Sequence, residues 1–149
     1  MSRKIIVIEI FPPICYILFM AILESGEMYL ETILILSREK LNIRAIDICS
    51  QMGFSKPSVS RGLKLLKEEH MIYVDENGYI FLTDEGKIKA ENVYERHNVL
   101  TEALMMIGIS KEIAEDDACK IEHIISDETF EKIKKHLKKS CHTDNATGG

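Results

Sequence analysis

A chain of 149 residues is long enough for one good-sized domain, or for a small domain carrying a dimerising extension. Its 24 acidic against 19 basic residues, a formal charge of −5, exclude nucleic-acid binding by bulk charge, so any such contact must come from a local basic patch. The cysteines Cys15, Cys49, Cys119 and Cys141 form neither a C-x-x-C pair nor a disulfide framework, which reads as reduced thiols in a cytoplasmic protein.

Residues 1–23 are strongly apolar behind Arg3 and Lys4. Glu9 and the Pro12-Pro13 pair interrupt the run, and the 10 residues from Ile14 to Leu23 are too few to span a bilayer. No small-residue cleavage site marks a signal peptide. Either Met20 is the true start, or the segment packs as an irregular arm.

From Glu24 to Ser37 the periodicity predicts a helix with Leu30, Ile33, Leu34 and Ser37 on one face. Met28 and Glu31 are neighbours on it, and their plain readings are core filling and a surface charge. A second, short helix from Ile43 to Gln51 stops at Gly53, a residue suited to a tight turn. A third follows from Ser55, a good N-cap, with Pro57 in its first turn and Val59, Leu63 and Leu66 facing inward. The pair of helices about Gly53 makes a helix-turn-helix.

Between Ser55 and Lys67 stand 4 basic residues and no acidic one, in a chain that is acidic overall. The outward positions Ser55, Lys56, Pro57, Ser58, Ser60, Arg61 and Lys64 are small or cationic. Small side chains let a helix sink into the major groove, while cations and hydroxyls reach phosphates and base edges. A basic helix face is often only a solvated surface, but its place on the second helix of a helix-turn-helix points to DNA. Ile72 to Val74 and Tyr79 to Leu82 flank Asp75-Glu76-Asn77-Gly78, a hairpin signal, and a hairpin in this place is the wing of a winged helix.

Thr83, with Asp84 and Glu85, opens a long helix whose seam is Val93, His97, Leu100, Leu104 and Ile107. A lone His in such a seam is more often a hydrogen-bonded core residue than a ligand. Gly108 stops this helix and Ser110 caps the next, on which Ile113, Ala114, Ala118, Ile121, Ile124 and Ile125 form an expected apolar stripe. Cys119, Glu122 and His123 fall outside that stripe, at i, i+3 and i+4 of one another. A thiolate, a carboxylate and an imidazole so placed can hold a divalent transition metal. The plain alternative is a buried Cys flanked by two surface side chains. A last helix opens at Ser126 with Phe130, Ile133 and Leu137 on one stripe, for which a second subunit is a natural cover. Residues 140–149 are polar and Gly-ended and are expected to form a disordered tail, in which Cys141-His142 offers at most adventitious metal binding.

Several of these stretches together resemble the metal-dependent repressors of the diphtheria toxin repressor and manganese transport regulator family. They are Glu27-Met28-Tyr29-Leu30-Glu31, residues 55–60, Leu82-Thr83-Asp84-Glu85-Gly86, Arg96-His97 and residues 116–123, within a match from Glu24 to Lys139. The resemblance implies a mainly α fold with a small β-hairpin wing: a winged helix-turn-helix over 24–83 and a helical metal-binding and dimerisation domain over 84–139. No extension long enough for the SH3-like domain of the larger members follows. By resemblance, Met28, Cys119, Glu122 and His123 match ligand positions of iron-type members, and Glu31 and His97 those of manganese-type members. Thr101 stands where the family commonly has Glu, and Glu115 where iron-type members have an ancillary His.

Soft Met28 and Cys119 favour iron, cobalt, nickel or zinc, whereas Glu31 and Glu122 suit manganese. The sequence therefore implies a homodimeric repressor of metal-homeostasis genes, activated by Fe²⁺ or Mn²⁺, with Zn²⁺, Co²⁺ or Ni²⁺ as substitutes in vitro. Its partner is palindromic double-stranded operator DNA, with no membrane role. The competing readings are a winged-helix regulator sensing an organic ligand or thiol oxidation at Cys119, and, more remotely, a metal-dependent hydrolase, for which no H-E-x-x-H or nucleophile–base pair is present.

Overall fold

The computed structural model describes the backbone over residues 13–143 and the side chains over 26–139. The cysteine and histidine of Cys141-His142, and the start expected at Met20, fall outside the described side chains. The chain divides into two compact units, one through Lys89 and one from Ala90 onward.

In the first unit, helix α1 spans Pro13–Glu39. It therefore begins well before the expected Glu24 and takes in much of the stretch read as an arm. Behind the Pro12-Pro13 pair no breaker interrupts the chain, and Pro13 stands at the first position, where a missing N–H is harmless. Helix α2 (Ala45–Met52) opens with the Arg44 backbone N–H donating to Oδ2 of Asp47 at 2.7 Å. It closes at Gly53, left-handed at φ 68°, whose N–H donates to the Cys49 carbonyl at 2.9 Å. Helix α3 (Lys56–Glu68) starts from Ser55, whose Oγ accepts the Ser58 N–H. Pro57 sits in its first turn, as its chemistry requires.

Strands β1 (Ile72–Val74) and β2 (Ile80–Leu82) pair antiparallel in the register Ile72 with Leu82, Tyr73 with Phe81 and Val74 with Ile80. Asp75 Oδ1 accepts the backbone N–H groups of Asn77 and Tyr79 at 2.9 and 2.8 Å, and Gly78 takes the positive φ (80°) that the turn needs. The Ile80 N–H reaches the Ile43 carbonyl at 2.8 Å and ties the wing to the chain ahead of α2. Helix α1 packs against α2, α3 and β2, and α3 against α2 and β1. The shared core is Leu30, Ile33, Leu34, Ile43, Ile48, Val59, Leu66, Ile72 and Ile80, all buried. The winged helix-turn-helix is thus present as expected.

Two glycines here are steric necessities. A Cβ on Gly62 of α3 would stand 2.2 Å from the Tyr29 ring, so glycine lets α1 and α3 close on each other. A Cβ on Gly86 would stand 1.9 Å from the Met71 carbonyl oxygen. That close approach goes with Thr83, whose Oγ1 accepts the Gly86 N–H at 3.0 Å and donates to the His70 carbonyl at 2.8 Å. The residue expected to cap the long helix does so.

Helix α4 (Asp84–Met106) runs through the unit boundary. The second unit continues with α5 (Lys111–Ile121) and α6 (Asp127–Thr143). Its buried residues include Ala90, Val93, Leu100, Ala114, Ala118, Phe130 and Leu137. Gly108 (φ 98°) follows the end of α4, leaving Ile107 outside the helix and 75% exposed, so the predicted seam stops at Leu104. Helix α6 reaches Thr143, several residues into the stretch expected as a tail. The stripe expected on α5 is also displaced. Ile113 and Ile124 are exposed (56% and 60%), and the buried line is Ala114, Ala118 and Glu122, spaced by four.

Candidate nucleic-acid interface and metal centre

On the first unit, Ser55, Lys56, Pro57, Ser60, Arg61 and Lys64 are all exposed on α3 or at its cap, and Ser58 is half-buried. Ser58 is held by a local network: its Oγ accepts from Ser55 Oγ at 3.0 Å, and its carbonyl accepts the Tyr29 hydroxyl at 3.3 Å. Lys64 has a distant i,i+4 neighbour in Glu68 at 3.9 Å, worth little in water. Arg61 has no carboxylate partner among the described residues. The face that sequence chemistry singled out is thus continuous, outward and cationic.

In the second unit the buried end of α5 carries the chemistry. Glu122 is 1% exposed. Its Oε2 lies 2.9 Å from Nδ1 of His97 on α4, and its Oε1 lies 3.1 Å from Nε2 of His123, off the hydrogen-bond axis. Burial alone pushes this carboxyl up. Its contacts with His123 and His97 outweigh that and hold it below the ordinary value, so it is an anion between two imidazoles. One buried oxygen anion flanked by two imidazole nitrogens is a donor set that suits a first-row divalent cation.

Of the residues predicted as ligands, the fold brings His97, Glu122 and His123 together. Cys119 is half-buried on α5. Met28 and Glu31 stand one turn apart on α1 of the first unit, both half-buried. Glu115 points out to solvent and pairs with Lys111 at 3.7 Å, so it does not stand in for an ancillary histidine in this structure.

Residues 21–80 match the family model described as the iron dependent repressor, N-terminal DNA binding domain, and residues 83–145 match its metal binding and dimerisation domain. The chain belongs to the iron-dependent repressor family. Among relatives, the transcriptional regulator MntR of Escherichia coli O157:H7 is 36% identical over 106 residues, covering 71% of this chain and 68% of that protein. The diphtheria toxin repressor of Corynebacterium diphtheriae is 28% identical over 118 residues, 78% of this chain and 52% of that one. The solved structure of the manganese regulator SloR superposes with a TM-score of 0.69 at 30% identity, over 76% of this chain and 53% of that chain. The crystal structure of T. acidophilum IdeR gives 0.65 at 27% identity, over 75% and 53%. Each match covers about half of the solved chain's own length. The matched models name a DNA binding domain followed by a metal binding and dimerisation domain, in the order the sequence implied. No helix among the described residues is long and apolar enough to cross a membrane.

Sequence reasoning gave Arg96 no task, yet it builds the centre. Its guanidinium donates to the carbonyls of Glu122 and Ile125 at 3.3 and 3.2 Å, pairs with Asp127, and lies 4.9 Å over the Phe130 ring. These carbonyls at the end of α5 would otherwise lack donors, and a cation there also suits the helix dipole. Arg96 therefore fixes the turn that presents Glu122 and His123. Its position directly before His97 was the available signal.

Proposed function

We propose that this chain is a homodimeric, metal-activated transcriptional repressor of metal-homeostasis genes, working in the cytoplasm on a palindromic operator and performing no catalysis. The observation that carries the reading is the buried Glu122 anion bracketed by His97 and His123, in a chain whose other unit displays a cationic stretch with no acidic residue from Ser55 to Lys67.

His97, Glu122 and His123 form the core of the ligand set, joined by Met28 and Glu31 from α1 and by Cys119. When bound, Fe²⁺ or Mn²⁺ supplies positive charge and coordination that hold these donors together. The chain's own part is to keep the carboxylate ionised and the imidazoles oriented. Metal binding and operator binding are thermodynamically linked in this reading, each tightening the other. Dimerisation doubles α3, matching the symmetry of a palindrome. Arg61, Ser58 and Pro57 are assigned to base edges, Ser55, Lys56, Ser60 and Lys64 to phosphates, and the wing near Asn77 to a flanking contact.

The test is fluorescence anisotropy on the protein's own upstream DNA, run without oxygen, with chelator, Fe²⁺, Mn²⁺ or Zn²⁺. Tightening by Fe²⁺ or Mn²⁺ that disappears in Glu122→Ala and His123→Ala is the expected result. Equal binding with chelator and with every metal would sink the proposal.

A further inference from the structure

The first unit also holds a feature that metal sensing does not use. Between the Gly26–Tyr29 turn of α1, the exposed side of α3 and Lys89 of α4 lies a half-open cleft of about 570 Å³. That volume falls in the range that takes a small organic ligand. Its apolar walls are Tyr29, Phe54 and Leu65, and two of these, Phe54 and Leu65, are 41% and 47% exposed despite their size. Tyr29 and Phe54 meet edge to face, ring centroids 6.3 Å apart.

The walls are built rather than incidental. The Tyr29 ring sits against Gly62, where no side chain could be tolerated, and its hydroxyl is spent on the Ser58 carbonyl. Tyr29 is 4% exposed and lines the cleft with its apolar carbons. At the rim stand two cations, Arg61 and Lys89, and one carboxylate, Glu69. Neither cation has an acidic partner among the described residues. The cleft thus combines flat apolar walls with a positive balance, which selects an organic anion over a neutral or cationic molecule.

We propose that this cleft is a second effector site, for a small organic anion with a flat apolar body, and that its occupant competes with operator DNA for Arg61. A guanidinium engaged with a carboxylate cannot at the same time reach a base edge. The competition half of the proposal rests on α3 reading DNA. The binding half does not, because it is measured on metal-free protein without DNA.

The probe is 2-naphthoate, with the uncharged 2-naphthamide as its comparison. The expected result is saturable binding of one naphthoate per chain, with the amide about fivefold weaker, the scale of one solvent-exposed ion pair. Gly26→Leu extends a side chain into the cleft next to Leu66, where a Cβ meets only an ordinary contact at 3.9 Å. It is expected to weaken naphthoate at least about tenfold by filling the space. Its operator affinity stays within about twofold, as for a change outside the reading face. Leu65→Glu, at an exposed position, supplies an independent check by placing a like charge at the rim, and it too is expected to weaken naphthoate. In the metal-loaded complex, naphthoate raises the apparent operator Kd competitively. Absence of saturable binding, equal binding of the amide, or undiminished binding in both variants would overturn the site. Binding that leaves the operator complex intact would overturn its role as an effector.

Discussion

Among the described residues, Glu122 is the charged side chain most withdrawn from water. A carboxylate 1% exposed survives as an anion only because two imidazoles face its two oxygens. Its folded value lies below the ordinary 4.5, so it contributes stability above that pH and loses it as the pH falls through the folded value. In metal-free protein, urea titrations of wild type and Glu122→Gln should differ above pH 4.5 and converge as the pH falls below it. A gap independent of pH would contradict the anion. Thr101 gives the opposite case. Its buried Oγ1 has no hydrogen-bond partner among the described residues. Thr101→Val removes that unsatisfied hydroxyl at nearly constant shape and is expected to stabilise the fold by about 1 kcal/mol in the same assay. Destabilisation would show that the hydroxyl is used.

At the scale of elements, Arg96 joins α4 to the end of α5 and the start of α6. Arg96→Ala leaves two carbonyls and Asp127 without their donor, and the expected loss is about 2 kcal/mol of stability. Metal affinity should fall on the order of 10-fold, because the turn presenting Glu122 and His123 loosens. Calorimetric metal titration of a variant that remains folded checks this, and an unchanged affinity would reduce Arg96 to a structural role. What the sequence revealed at this scale followed local chemistry. Ser55, Pro57, Gly53 and Asp75 to Gly78 act through their own backbone, so the recognition helix and wing were legible. The buried side of α5 was not. Periodicity ranks Ile113 and Ile124 inward and Glu122 outward, and only a histidine on a distant helix reverses that order. The start of α1 was missed for a related reason. A continuous apolar run behind a proline pair is as good a helix as a membrane-length fragment cut short, and hydropathy alone does not separate them. The spacing put Glu122 and His123 on one helix as candidate ligands, and the structure sets both beside each other. His97 was named only through the resemblance, since in the seam it reads as core.

The whole molecule is acidic, yet α3 shows cations to solvent without intervening carboxylates, which concentrates the potential where a polyanion is to be met. The second unit exposes Met105, Met106, Ile113 and Ile124, apolar side chains in a segment that matches a dimerisation domain. One unit thus presents a surface for DNA and the other a buried anion with two imidazoles and an apolar exterior. Metal binding and DNA binding are expected to be energetically coupled. The most direct test is anaerobic titration of Mn²⁺ into the protein, free and saturated with its operator. Linkage requires the operator to tighten metal binding by the same factor by which metal tightens operator binding, typically about 5–150-fold. That result, lost in Glu122→Gln, is the one expected. Identical metal affinity with and without operator would contradict a metal-driven repressor.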